Sequence, residues 1–123
     1  MSKTIFVVDD SATMLMSVRA SLEMNGFKVE TASDGVQALD KLNSMSPDLI
    51  ITDINMPRMG GMELIQALRA MSKFRFTPIL TLTTESESGK RDQAKQLGAT
   101  GWLVKPVPPG DLVRIIKQVL PGA

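Results

Sequence analysis

Strand-length apolar runs alternate with helix-length amphipathic segments along this chain, and the alternation repeats five times. Such a pattern builds a parallel sheet, because neighbouring parallel strands can be joined only by a crossover that lies against a face of the sheet. The spacing predicts strands at Thr4 to Val8, Lys28 to Ala32, Asp48 to Thr52, Pro78 to Leu82 and Gly101 to Val104. Ile5-Phe6-Val7-Val8, Leu49-Ile50-Ile51 and Trp102-Leu103-Val104 are continuous apolar runs, as expected of strands covered on both faces. Val29-Glu30-Thr31-Ala32 alternates instead, which predicts a sheet edge.

The last helix has the clearest buried stripe, with Leu112, Ile115, Ile116, Val119 and Leu120 at helical spacing. Leu64, Ile65, Leu68 and Met71 make a similar stripe, and so do Met14, Val18 and Leu22 in the first helix, which Asn25-Gly26 terminates. The segment from about Ser86 to Leu97 differs. Only Ala94 and Leu97 are apolar among Lys90, Arg91, Asp92, Gln93, Lys95 and Gln96, so this helix is expected to be weakly anchored and easily shifted.

With 123 residues, the expected organisation is one domain spanning 1–123 with no effector domain. Fourteen basic against 13 acidic residues leave a net charge of +1, too weak a field to favour nucleic acid or membrane surfaces. The absence of cysteine and histidine removes disulfides, thiolate sites and the commonest catalytic base, and leaves carboxylate chemistry. No signal-like start and no run of ~18 apolar residues is present, so a cytoplasmic location is expected.

In an open parallel sheet the loops at the carboxyl ends of the strands form the ligand crevice. Asp9 and Asp10 follow the first strand, Asp53 the third, Thr83 the fourth and Lys105 the fifth. Three carboxylates in one crevice repel one another unless a cation joins them. Oxygen ligands alone favour Mg2+, or Mn2+, and Asn55 can add a backbone carbonyl. Thr83 and Lys105 suit the oxygens of a phosphoryl group, and a carboxylate can accept that group covalently. Asp53, on the central strand, is the predicted acceptor.

These residues lie in the motifs Val8-Asp9-Asp10, Asp53-Ile54-Asn55-Met56-Pro57-Arg58-Met59-Gly60-Gly61, Leu82-Thr83 and Lys105-Pro106. Over essentially its whole length the sequence resembles the receiver domains of two-component response regulators, and most resembles the single-domain chemotaxis regulators. That resemblance implies a flavodoxin-like (βα)5 three-layer sandwich with strand order 2-1-3-4-5 and a cis bond at Lys105-Pro106. It further implies that Asp9 and Asp10 hold Mg2+, that a histidine kinase phosphorylates Asp53, and that Thr83 and Lys105 contact the phosphoryl group. Trp102 stands at the aromatic switch position, where tyrosine or phenylalanine is usual. Asn55 and Glu85 match a pair that accompanies rapid loss of the phosphoryl group. Leu15 and Ser86-Glu87-Ser88-Gly89 depart from basic positions of the chemotaxis proteins, and Thr84 is larger than the residue common there.

An isolated aspartate at a strand end is usually a helix cap, and an isolated lysine usually a surface charge. The joint spacing gives these five their weight. Gly60-Gly61 lacks the Lys-Ser/Thr ending of a phosphate loop and is read as shaping a helix start. The nine methionines are read as core packing, since Met14 and Met71 fall on buried stripes. Pro108-Pro109-Gly110-Asp111 reads as the start of a helix.

The expected function is that of a stand-alone, monomeric response regulator, a phosphorylation-controlled binding switch rather than an enzyme. Its partners would be a histidine kinase and a flagellar motor switch protein. Three alternatives remain: a relay intermediate that passes its phosphoryl group to a phosphotransfer histidine, a small Mg2+-dependent aspartyl-phosphate phosphatase, and a flavin protein. The last two lack, respectively, a visible specificity pocket and the aromatic content to hold a flavin, with aromatics at 4%.

Overall fold

Ile5 and Val7 point into one apolar cluster while Phe6 and Val8 point into another, so the first strand is buried on both sides. The same division runs through the sheet. In the computed structural model, which describes residues 3–83 and 88–120, the chain runs β1 (Thr4–Val8), α1 (Ala12–Met24), β2 (Lys28–Ala32), α2 (Gly35–Leu42), β3 (Leu49–Asp53), α3 (Gly61–Arg69), a 3-10 turn (Ser72–Phe74), β4 (Ile79–Thr83), α4 (Ser88–Leu97), β5 (Gly101–Val104) and α5 (Pro109–Val119). All described strand pairings are parallel, in the order β2-β1-β3-β4-β5. Helices α1 and α5 cover one face through Val18, Leu22, Leu112, Val113 and Ile116. Helices α2, α3 and α4 cover the other through Ala38, Leu42, Leu64, Ile65, Leu68 and Ala94. This is the expected three-layer, flavodoxin-like sandwich, with β2 at an edge.

Helix α1 begins at Ser11, whose hydroxyl accepts from Met14 N–H at 3.2 Å. It ends in a Schellman turn. Gly26 N–H donates to Glu23 O and Phe27 N–H to Leu22 O, with Gly26 at φ +89, a region that glycine enters without a Cβ penalty. The Lys105-Pro106 bond is cis, as the resemblance implied.

Three expectations need correction. Strand β3 runs Leu49–Asp53 rather than Asp48 to Thr52, because the Asp48 carboxylate turns back to accept from Thr4 N–H at 2.8 Å and closes the strand's start. Strand β4 runs Ile79–Thr83 rather than Pro78 to Leu82, since Pro78 has no N–H to give to the ladder. Each shift places a functional candidate, Asp53 or Thr83, as the last residue of its strand. Strand β5 is less covered than its apolar run predicts: Leu103 packs on one cluster and Trp102 on the other, but both are only partly buried and Val104 is 42% exposed. The expected start of the fourth helix, about Ser86, lies outside the described residues; within Ser88–Leu97 Ala94 is buried and Leu97 partly covered.

Candidate functional site

Parallel register brings the carboxyl ends of β1, β3, β4 and β5 to one rim, and polar residues are buried there. Asp9 is 2% exposed, Asp53 8% and Thr83 0%. One carboxylate oxygen from each of Asp9, Asp10 and Asp53 lies within 4.8 Å of the others, with Asp10 the exposed member. Lys105 reaches over the group from β5. Its Nζ donates to Asp9 Oδ2 at 2.8 Å and stands 3.4 Å from Asp53 Oδ2.

The backbone fixes the other oxygens. Asp9 Oδ1 accepts from Ser11 N–H at 2.9 Å, and Asp53 Oδ1 accepts from Ile54 N–H at 2.8 Å. The second oxygen of Asp53 is thereby turned toward the ammonium. Burial, with the Asp9 charge acting in the same direction, raises the Asp53 pKa above its ordinary 3.8 despite the opposing attraction of Lys105. Burial works against the charge on Lys105, but its bond to Asp9 and the attraction of both carboxylates outweigh that and raise its pKa.

Strand alternation separates the rim into two sets. Asp9, Asp53 and Lys105 continue the face of Val7, Ile51 and Leu103, on the α1/α5 side. Thr83 pairs with Val104 and Thr81 with Trp102, on the face covered by α2, α3 and α4, where Trp102 is packed. Thr83 thus adjoins the acidic cluster through the backbone while its side of the sheet leads to Trp102. Trp102 also lines a cavity of about 250 Å³ between α4 and β5, with Arg91, Asp92 and Lys95.

The predicted site residues Asp9, Asp10, Asp53 and Lys105 therefore converge on one point, with Thr83 beside them and Trp102 two residues before Val104, Thr83's partner on β5. Asn55 is exposed on the loop that follows Asp53. Glu85, with Thr84, lies outside the described residues. Asp34 was missed. It is 5% exposed, caps α2 by accepting from Gln37 N–H at 2.8 Å, and binds Arg58 of the β3–α3 loop. Its sequence signal is Asp34-Gly35-Val36-Gln37, a cap residue followed three positions later by glutamine.

The model of the response regulator receiver domain matches residues 5–117. The chain belongs to that family. Among solved structures, the receiver resembles the chemotaxis response regulator CheY4 of Vibrio cholerae, at 44% identity and a TM-score of 0.93 over 98% of this chain and 100% of that one. It also resembles the receiver domain of the sensor histidine kinase PA1611 from Pseudomonas aeruginosa, solved with a magnesium ion in its active site cleft. That likeness is 28% identical with a TM-score of 0.88, over 96% of this chain and 97% of the other. Among curated relatives, the alkaline phosphatase synthesis transcriptional regulatory protein PhoP of Bacillus subtilis is 38% identical over 98% of this chain. The chain spans about half the length of such relatives, 49% in that case.

Proposed function

We propose that this receiver accepts a phosphoryl group on Asp53 from a histidine kinase and thereby changes its affinity for a protein partner. The observation that carries this is the cluster itself: three carboxylates within 4.8 Å, two of them buried, with an ammonium 3.4 Å from Asp53. Receiver domains take phosphate from histidine kinases, and the donor set fits a hard cation. Asp9, Asp10 and Asp53 would hold Mg2+, or Mn2+ in its place, with the Asn55 carbonyl as a further oxygen. When bound, the ion neutralises charge on the transferring group.

Asp53 Oδ2 is the nucleophile in this reading, because Ile54 N–H engages the other oxygen. The P–N bond of the donor phosphohistidine breaks as an Asp53 O–P bond forms, and Lys105 offsets charge on the phosphoryl oxygens. Thr83 meets the group from β4. Trp102 responds from the same face of the sheet, and the α4, β5 and α5 surface carries the change to the partner. Asn55 and Glu85 then set how fast water removes the group. The altered surface must bind its partner with different affinity in the two states, since equal affinity would transmit nothing. The protein is in this sense a switch with self-modifying chemistry rather than an enzyme acting on external substrates, and residues 1–123 act as one receiver unit in the cytoplasm.

The end-to-end match to a chemotaxis regulator, at 44% identity, favours a chemotaxis role in which the phosphorylated form engages a flagellar motor switch protein. The runner-up is a relay intermediate that hands the group to a phosphotransfer histidine. Intact-protein mass spectrometry after incubation with Mg2+ and a small acyl phosphate tests the chemistry. A single phosphoryl adduct that disappears without Mg2+ and in Asp53→Asn is expected. No adduct on cooled wild type with excess donor would sink the reading, and an adduct that lasts hours would favour the relay.

A further inference from the structure

Asp34 and Arg58 belong to neither the acidic cluster nor the sheet, yet they join two loops of the rim. The Nε and Nη2 groups of Arg58 converge on Asp34 Oδ2 at 2.9 and 2.7 Å. Asp34 Oδ1 is already committed to Gln37 N–H, so this buried carboxylate is fixed to the first turn of α2. One residue further, Gly35 N–H donates to Met59 O at 3.0 Å, and a Cβ at Gly35 would stand only 2.6 Å from Met59 Cγ. Two adjacent residues of the α2 start thus grip two adjacent residues of the β3–α3 loop.

The gripped segment holds an unfavourable backbone. Arg58 has φ +64, the only positive φ of a non-glycine among the described residues, and Met59 N–H closes a three-residue turn onto Pro57 O at 2.7 Å. Such a conformation persists only where surrounding contacts over-determine it. The pair joins a carboxylate that is 7% exposed to a guanidinium that is 61% exposed, so solvent screens it from one side and its contribution to stability is modest. The loop's ends are fixed by Ile54 N–H on Asp53 and Gly61 N–H on Ile54 O, and residues 55–59 between them are placed by the packing of Met56 and Met59 on the apolar cluster and by the contacts to α2.

We propose that Asp34 and Arg58 form a positioning latch that sets the path of the β3–α3 loop, and through it the affinity of the acidic cluster for a divalent cation. This rests on the cation site proposed above, to which the loop contributes the Asn55 backbone. The latch acts at a distance. Neither side chain touches the ion, but the tie at Arg58 fixes the chain three residues beyond Asn55. Holding the loop in advance removes an ordering cost from cation binding, as outer supports do for metal ligands generally.

Mn2+ binding to the full chain, followed by the loss of the free-ion paramagnetic resonance signal, tests this alongside thermal unfolding of the metal-free proteins. Wild type should bind and Asp53→Asn should not. Arg58→Ala and Asp34→Asn should each weaken binding roughly three- to ten-fold, below the ~10–100-fold typical of losing a direct outer partner. The double variant should be no weaker than either single one, because both remove the same tie. Asn retains the α2 cap, and Asp40→Asn on the exposed side of α2 controls for loss of one negative charge. Latch variants that bind Mn2+ as tightly as wild type, whether or not they unfold at lower temperature, would overturn the latch and leave the cation site standing. A wild type that binds no Mn2+ would overturn both.

Discussion

Lys105 Nζ donates to Asp9 Oδ2 at 2.8 Å, a contact between residues 96 positions apart that closes the rim from the last strand to the first. The lysine side chain is 16% exposed and the aspartate's 2%, so neither charge is free to be solvated alone. Removing one member of a buried pair leaves the other uncompensated, and here two buried carboxylates would be left. Lys105→Met should therefore destabilise the metal-free protein by about 3 kcal/mol in denaturant titrations, the low end for a broken buried pair because the lysine is partly exposed. Added Mg2+ should restore more stability to the variant than it adds to wild type. Equal stability without metal would show that the carboxylates do not need the ammonium.

Asp53 poses the opposite case. Its pKa is raised, chiefly by burial, so its ionised form is disfavoured in the folded state. A folded pKa above the unfolded value means that the native state binds the proton more tightly, and stability falls as pH rises from about 3.8 through the folded value. Asp53→Asn can still accept from Ile54 N–H and lacks that loss. In the absence of divalent cations it should be more stable than wild type at neutral pH, and the advantage should fade in acid. Thermal melts across that range check it, and a variant less stable at neutral pH would contradict it.

Most of the rim was legible because spacing alone fixes which residues end parallel strands, and Asp9, Asp53 and Lys105 needed only that. The one-residue errors at β3 and β4 arose where Asp48 and Pro78 each join the ladder by one backbone bond only, Asp48 through its N–H to Thr4 O and Pro78 through its carbonyl to Ile50 N–H, and so stand just before the paired strand. Trp102-Leu103-Val104 misled only in degree, because an apolar run does not say how far the helices extend over its strand, and Val104 stays 42% exposed. The ties of Asp34 to Arg58 and of Arg69 to Gly98 were illegible for a different reason, although the helix cap at Asp34 has a local signal. The partners lie 24 and 29 residues away, on loops whose approach is set only by the finished fold.

Asp34 carries its own signature in acid. Its pKa is lowered below 3.8, first by the Gln37 N–H bond and then by Arg58. A folded pKa below the unfolded one contributes stability that is present above pH 3.8 and disappears as pH falls through the folded value. Asp34→Asn should therefore lose stability relative to wild type at neutral pH, and the gap should close at the lowest pH. Parallel unfolding curves at neutral and strongly acid pH measure this, and a gap that persists unchanged would assign the loss to packing instead of charge.

Arg69 links helix α3 to the far end of α4. Its guanidinium donates to Gly98 O at 3.0 and 2.8 Å, to Phe74 O at 2.6 Å, to Thr77 O at 2.7 Å and, at 3.4 Å, to Arg75 O, and so meets four carbonyls with one side chain. Gly98 has φ +111 and would place a Cβ 2.8 Å from Arg69 Cγ, so the turn and the arginine are fitted to each other. Since Ala94 is the buried apolar contact of α4, this polar clamp supplies much of what holds the helix's carboxyl end. Arg69→Met keeps the aliphatic stem and removes the donors, which should cost about 2–4 kcal/mol for carbonyls left unpaired. Hydrogen exchange distinguishes a local from a global loss. The amides of Gly98 and Ala99, bonded to Lys95 O and Ala94 O, should exchange faster relative to those of β1 and β3. Uniform acceleration across the sheet would mean that the clamp supports the whole fold and that α4 is held by other contacts.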